Sequence, residues 1–117
     1  MNLTIQDGAI QIQLTSAERL WAFHLSHQIE IPLDSIQSVR LERPATTWKE
    51  LRAPGTHLPG LIKAGTYYTE RGREFWYAQG DQNCLCLDIA AGYYKRIVLS
   101  SAAAERWRSQ LQQAISL

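Results

Sequence analysis

The chain has 117 residues, 45% of them hydrophobic and 20% charged, with a formal net charge of +1. That composition fits one globular domain able to bury a core; it excludes a disordered chain and gives no case for a nucleic-acid binder, which needs a strong basic excess. No run approaches the roughly 18 apolar residues of a membrane-spanning helix, and the first residues lack the basic and apolar regions of a secretion signal, so a soluble, cytoplasmic protein is expected.

Residues 2–6 and 9–14 alternate apolar and polar side chains and are joined by Asp7-Gly8, a favoured two-residue hairpin turn. Thr15 and Glu18 have the spacing of a capping box, which predicts a short helical turn over residues 17–22. Residues 28–32 read as a strand stopped by Pro32, and a turn at Leu33-Asp34-Ser35 leads into a strand over 36–42 with Val39 and Leu41 facing inward. Residues 43–59 form the longest irregular stretch, with turns expected at Pro54-Gly55 and Pro59-Gly60. Four strands follow, over 61–69, 73–79, 83–90 and 94–99, punctuated by Gly72, Gly80-Asp81 and Gly92. From residue 101 the period changes to 3.6. Ser100 or Ser101 is the expected N-cap, and Ala104, Trp107, Leu111, Ala114 and Ile115 line one stripe, with Trp107 as the large central side chain.

Charge is spread unevenly. Up to Val39 the chain is acidic, net −3, whereas Arg40, Arg43, Lys49, Arg52, Lys63, Arg71 and Arg73 against Glu42, Glu50 and Glu70 give residues 40–73 a net +4. Cys84 and Cys86 stand two apart in an apolar run. Strand residues at that spacing share a face about 7 Å apart, too far for an unstrained disulfide, so both are expected as free thiols in or near the core.

Seven to eight short antiparallel strands followed by one amphipathic helix predict a mainly β domain whose sheet curls to protect its edges and is plugged by the helix. The turn Ile31-Pro32-Leu33-Asp34-Ser35-Ile36 is one of three motifs that carry a resemblance. The others are the run Pro54-Gly55-Thr56 continuing through Pro59-Gly60-Leu61-Ile62-Lys63-Ala64-Gly65-Thr66-Tyr67, and the strand Gly72-Arg73-Glu74-Phe75-Trp76. Over residues 29–111 these resemble the bacterial pleckstrin-homology (PH)-like domains of unassigned function. The resemblance implies a single PH-like, partly open barrel over residues 1–117, with strands over 2–99 and a helix over 101–116. Such folds host many binding functions, so the fold alone does not assign one. Phosphoinositide-binding members resemble one another in basic residues around the first hairpin; here its tip is Asp7-Gly8, with no basic residue beside it.

No catalytic set is framed by any nucleophile elbow, paired-carboxylate or phosphate-loop motif, and neither enzymatic activity nor a cofactor is expected. His57 is expected to bond within its own loop, and His24 with His27 would bind metal only on a continuous helix, so no metal site is assigned. The aromatic residues of the second half, half of them directed inward by strand alternation, leave Trp48 with Trp76 or Tyr68 as surface candidates. The function this supports is a binding or scaffolding module acting through protein contacts, self-association among them, with Trp48, Arg52, His57, Lys63, Arg71 and Arg73 as contact residues. The alternative is attachment to an anionic ligand or lipid headgroup through the basic segment 40–73.

Overall fold

The computed structural model describes residues 1–22, 28–42, 51–58, 62–69, 72–80 and 83–115, with residues 21–22 and 51–58 described by their backbone. Strand β1, Asn2–Gln6, turns into β2, Ala9–Gln13, through Asp7 and Gly8, whose φ angles of 54° and 74° are those of a type I′ turn. The capping box then closes as the sequence predicts. The Thr15 amide donates to Glu18 Oε1 at 2.8 Å and the Glu18 amide to Thr15 Oγ1 at 3.2 Å, which starts helix α1, Ser16–Ala22. Strand β3, Gln28–Pro32, lies against β2, completing a sheet of order β1-β2-β3. Pro32 leads into a 3-10 turn, Leu33–Ser35, tied to the first hairpin by the Leu33 amide donating to the Gly8 carbonyl at 2.9 Å.

The remaining strands are β4 (Ile36–Leu41), β5 (Leu51–Leu58), β6 (Ile62–Thr69), β7 (Gly72–Gln79), β8 (Cys84–Ile89) and β9 (Arg96–Ser100). They form one six-stranded sheet of order β4-β8-β9-β7-β6-β5. Two features depart from the expected irregular stretch and all-antiparallel barrel. Residues 51–58 are a strand, and Pro54 and Gly55 lie within it at a register shift between Arg52 and Gly55; an edge strand tolerates proline because no neighbour needs its missing amide. Strand β9 runs parallel to β7 and separates it from β8. The cause lies in β9 itself. Ile97, Val98 and Leu99 are consecutive and all buried, so this strand is apolar on both faces and belongs inside a sheet. The two sheets share no ladder, so the described residues do not close a barrel.

The main core lies between the sheets. Leu3, Ile10, Ile12, Leu14, Ile29 and Ile31 of the small sheet meet Phe75, Tyr77, Leu85, Leu87, Ile97 and Leu99 of the large one. Val39 joins them, but Leu41, at the end of edge strand β4, is 40% exposed rather than inward-facing. Helix α2, Ala104–Ile115, packs against β4 and β8 and completes this core. Ser101 starts it, its carbonyl accepting from the Ala104 amide and its hydroxyl from the Ala103 amide. Ala104 and Leu111 are fully enclosed, while Trp107 is only partly buried against the same cluster. The plug is therefore Leu111, with Trp107 lying along its margin.

Truncating the enclosed side chain creates a cavity, so Leu111→Ala is expected to cost about 2–5 kcal/mol. Leu20 on α1 is 73% exposed, and Leu20→Ala is expected to stay within about 0.5 kcal/mol of the parent. Urea unfolding of the two variants measures the contrast.

Candidate functional site

The large sheet has a second buried face. Tyr67, Trp76, Ala78, Cys84, Cys86 and Val98 cluster there, apart from the main core. One row of register partners crosses all six strands: Ser38, Asp88, Arg96, Glu74, Tyr67 and Arg52. Four of these residues alternate acid and base, or bring a hydroxyl to an acid, and the bonds follow. Asp88 accepts from Ser38 Oγ at 2.6 Å, Arg40 Nε at 3.0 Å and Arg96 Nε at 3.1 Å, and Arg40 also pairs with Glu42. Burial opposes the charged form of Asp88, but the hydrogen bonds from Ser38 and Arg96 and the charges of Arg40 and Arg96 outweigh it, so its carboxyl stays below its ordinary value.

Glu74 is fully buried. Its Oε1 accepts from Trp76 Nε1 at 3.0 Å and its Oε2 from Thr69 Oγ1 at 3.1 Å, with an Arg96 guanidinium nitrogen 3.9 Å away. Lys63 is also enclosed, 5% exposed, with Nζ 3.8 Å from the Trp76 ring centroid and 4.6 Å from that of Tyr67. These groups satisfy one another. A carboxyl enclosed between an indole N–H, a hydroxyl and a guanidinium serves to fix strand order. Trp76, read from the sequence as a surface candidate, is 1% exposed and belongs to this layer.

Cys84 and Cys86 are both free and buried in the same cluster. Burial pushes the Cys86 thiol up to about 11, although Arg40 Nη2 donates to its sulfur at 3.4 Å and its charge acts in the opposite direction. The thiol therefore stays protonated and unreactive at neutral pH. Among the described residues no group of three or more His, Cys, Asp or Glu side chains could hold a metal ion. A surface hollow at the start of α2 is lined by Ala102, Ala103, Glu105 and Arg106 and brings no nucleophile to a base.

The opposite face of the β6–β7 hairpin carries a different chemistry. Tyr68 and Arg73 are cross-strand partners, and the Arg73 guanidinium lies 3.9 Å from the Tyr93 ring centroid and donates to the Tyr93 carbonyl at 3.4 Å. Tyr93 is 63% exposed and Tyr68 41%. The loop over residues 90–95 holds this group in place. The Lys95 amide donates to the Arg73 carbonyl, the Ile89 amide to the Lys95 carbonyl, and the Ala90 amide to the Ser35 carbonyl, at 2.7–2.9 Å. Tyr94 is driven inward, edge-on to Phe75 with centroids 5.7 Å apart and its hydroxyl 3.2 Å from Thr66 Oγ1. Adjacent tyrosines thus divide the work, one anchoring the loop and the other standing outside it. Gly72 has φ of 118°, and a Cβ there would lie 2.9 Å from Lys95 Cγ, so the side chain of Lys95 crosses the hairpin where only glycine fits.

Comparisons of the chain with protein-family models, curated proteins and solved structures return no match.

Of the six contact residues expected from the sequence, the two with described side chains, Lys63 and Arg73, do not come together. Lys63 is enclosed in the second buried layer and is not a surface contact, because two aromatic rings cover its ammonium. By backbone register His57 pairs with Lys63 and Arg52 with Tyr67 on strands β5 and β6. Arg73 alone stands with exposed tyrosines, while Trp48 and Arg71, like His24 and His27, lie outside the described residues. Sequence reasoning missed Tyr93, Glu74, Asp88 and Arg96. A signal existed for the acids: Asp88 interrupts a strand that is otherwise apolar on both faces, and Glu74 abuts the apolar run Phe75–Ala78, which implies a buried partner.

Two measurements test this arrangement. Asp88 is depressed in the folded state, so its stabilisation is present above its unfolded value near 4 and is lost as pH falls through the folded value. Asp88→Asn is expected to be markedly less stable than the parent at pH 7, with the gap closing at pH 3, read from urea midpoints. A thiol-reactive chromophore at pH 8 is expected to titrate neither cysteine in the folded protein and both in urea.

Proposed function

We propose that this protein is a small PH-like binding module that acts through protein contacts, with Tyr68, Arg73 and Tyr93 as its recognition surface. The observation that carries the reading is the guanidinium of Arg73 held over an outward-facing Tyr93 beside exposed Tyr68. Tyrosine and arginine dominate binding hot spots because they bury large area with few rotors while offering polar ends. The loop is fixed by backbone bonds and by Tyr94, so little ordering remains for a partner to induce. Arginine favours a carboxylate on that partner. The resemblance of the Ile31–Ile36, 54–67 and 72–76 motifs to PH-like domains is compatible with a binding role, since such folds host many binding functions. Cytoplasmic location is part of the proposal, supported by two cysteines that form no disulfide, which suits a reducing compartment.

No helix among the described residues is long and apolar enough to cross a membrane. Attachment to anionic membrane surfaces through residues 40–73 is the less favoured reading, since the buried Lys63 ammonium is removed from any such surface.

With a partner recovered by affinity capture and then purified, Tyr93→Ala and Arg73→Ala are each expected to weaken binding by about 2 kcal/mol, roughly 30-fold, with melting unchanged. Binding as tight as the parent's in both variants would remove the assignment. Salt-sensitive sedimentation with anionic vesicles would favour the membrane reading instead.

A further inference from the structure

Strand edges expose unpaired amides and carbonyls, and natural sheets blunt them with charge, proline or bulges. Among the described residues the two sheets end in four edge strands, β1, β3, β4 and β5. Strand β3 carries Glu30 and Pro32. Strand β4 carries Arg40 and a register shift between Ile36 and Ser38. Strand β5 carries Arg52, Pro54, His57 and its own shift. Strand β1, Asn-Leu-Thr-Ile-Gln, has none of these devices: it is uncharged, lacks proline and pairs with β2 in unbroken register over all five residues. Even the amino group of Met1 is held by Glu18 at 2.8 Å, so the charge at the head of this strand is neutralised.

We infer that β1 is an interface strand, and that its occupant is β1 of a second copy of this chain, joined antiparallel about a two-fold axis at Thr4. The pattern of the strand is self-complementary about that residue. Counted from the Asp7-Gly8 turn, whose flanking pair Gln6–Ala9 is hydrogen-bonded, Leu3 and Ile5 stand at pairs not bonded to β2. Their amides and carbonyls therefore point outward. Antiparallel pairing about Thr4 sets Leu3 opposite the second copy's Ile5, and the reverse, so that the two pairs exchange four backbone bonds. Leu3 and Ile5 share the core face, where Leu3 is buried, yet Ile5 remains 39% exposed opposite fully buried Ile10. Pairing covers that exposed side chain with leucine and joins the two small sheets into one of six strands. On the other face Asn2 meets Gln6 and the two Thr4 hydroxyls adjoin, so no charge is desolvated. The contact is smaller than a standard interface, so association is weak.

This deepens the contact-module reading by naming a second surface, and its failure leaves the tyrosine surface untouched because Tyr68, Arg73 and Tyr93 lie on other strands and a loop. Sedimentation equilibrium from 5 to 500 μM is expected to show a monomer–dimer equilibrium. Thr4→Lys sets two ammonium groups against each other and is expected to weaken dimerisation at least 10-fold while the thermal midpoint of the dilute protein stays within a few degrees. Thr4 pairs with itself at a non-bonded position, where Cα atoms approach about 4.5 Å, within disulfide range. Thr4→Cys is therefore expected to give a covalent dimer on mild oxidation, and Gln37→Cys on β4 is not. A chain that stays monomeric to 500 μM, or a dimer indifferent to Thr4→Lys and not trapped by Thr4→Cys, overturns the inference; if Thr4→Lys does not fold, the cysteine result decides alone.

Discussion

A carboxyl group buried at the centre of a six-stranded sheet sets the terms for this fold. Glu74 has no access to water, so its oxygens must find donors in the protein or the strand cannot be there. Trp76 supplies one from the same strand and Thr69 another from the neighbouring β6. The guanidinium comes from β9, and only because β9 lies between β7 and β8. Arg96 in turn meets Asp88 on β8, which Ser38 and Arg40 hold from β4. A meander of consecutive strands would put β8 beside β7 and set Asp88 near Glu74 with no base between them. The parallel pair β7–β9 thus serves the apolar demand of Ile97, Val98 and Leu99 and the electrostatic demand of Glu74 together.

This arrangement gives the sheet a buried cluster on each of its two faces. One meets the small sheet and α2 in the main core. The other stacks Lys63 on Trp76 and Tyr67, and surrounds its polar groups with partners. Reactive side chains within it are held in unreactive states, as the raised thiol of Cys86 illustrates. Two surface features of the described residues lie at the molecule's margins: the β6–β7 hairpin with the 90–95 loop, and the open edge of β1. Both are rigid. Backbone bonds to Arg73 and Ser35 hold the loop, and the type I′ turn fixes the register of β1.

Much of the local structure was legible residue by residue. Asp7-Gly8 required a hairpin because its backbone reaches the left-handed region that the turn demands. Thr15 and Glu18 required a helix start because each can satisfy the other's amide. The period of residues 101–115 required an amphipathic helix, although Leu111 and not Trp107 proved to be its enclosed centre. The candidate site was far less legible. Lys63 read as a surface cation until Trp76 and Tyr67 were found over it, and Tyr93 was one aromatic among many until Tyr94 was seen to turn inward beside it.

The division has a physical cause. Turns, caps and periodicity depend on neighbours within a few residues, so the hairpin, the helices and the position of most strands, and with them a mainly β domain ending in a helix, are readable from the residue order. Strand order depends on partners 20 or more residues away, as β7 with β9 and β4 with β8, and so does the guanidinium that Arg96 brings to buried Glu74; the edge strand over 51–58 rests on its ladder with β6. Those pairings compete with many alternatives of similar local quality, and the choice is made by the summed burial and ion pairing of the whole sheet. Only the tertiary structure could decide which charges lie within the molecule and which tyrosines remain outside it.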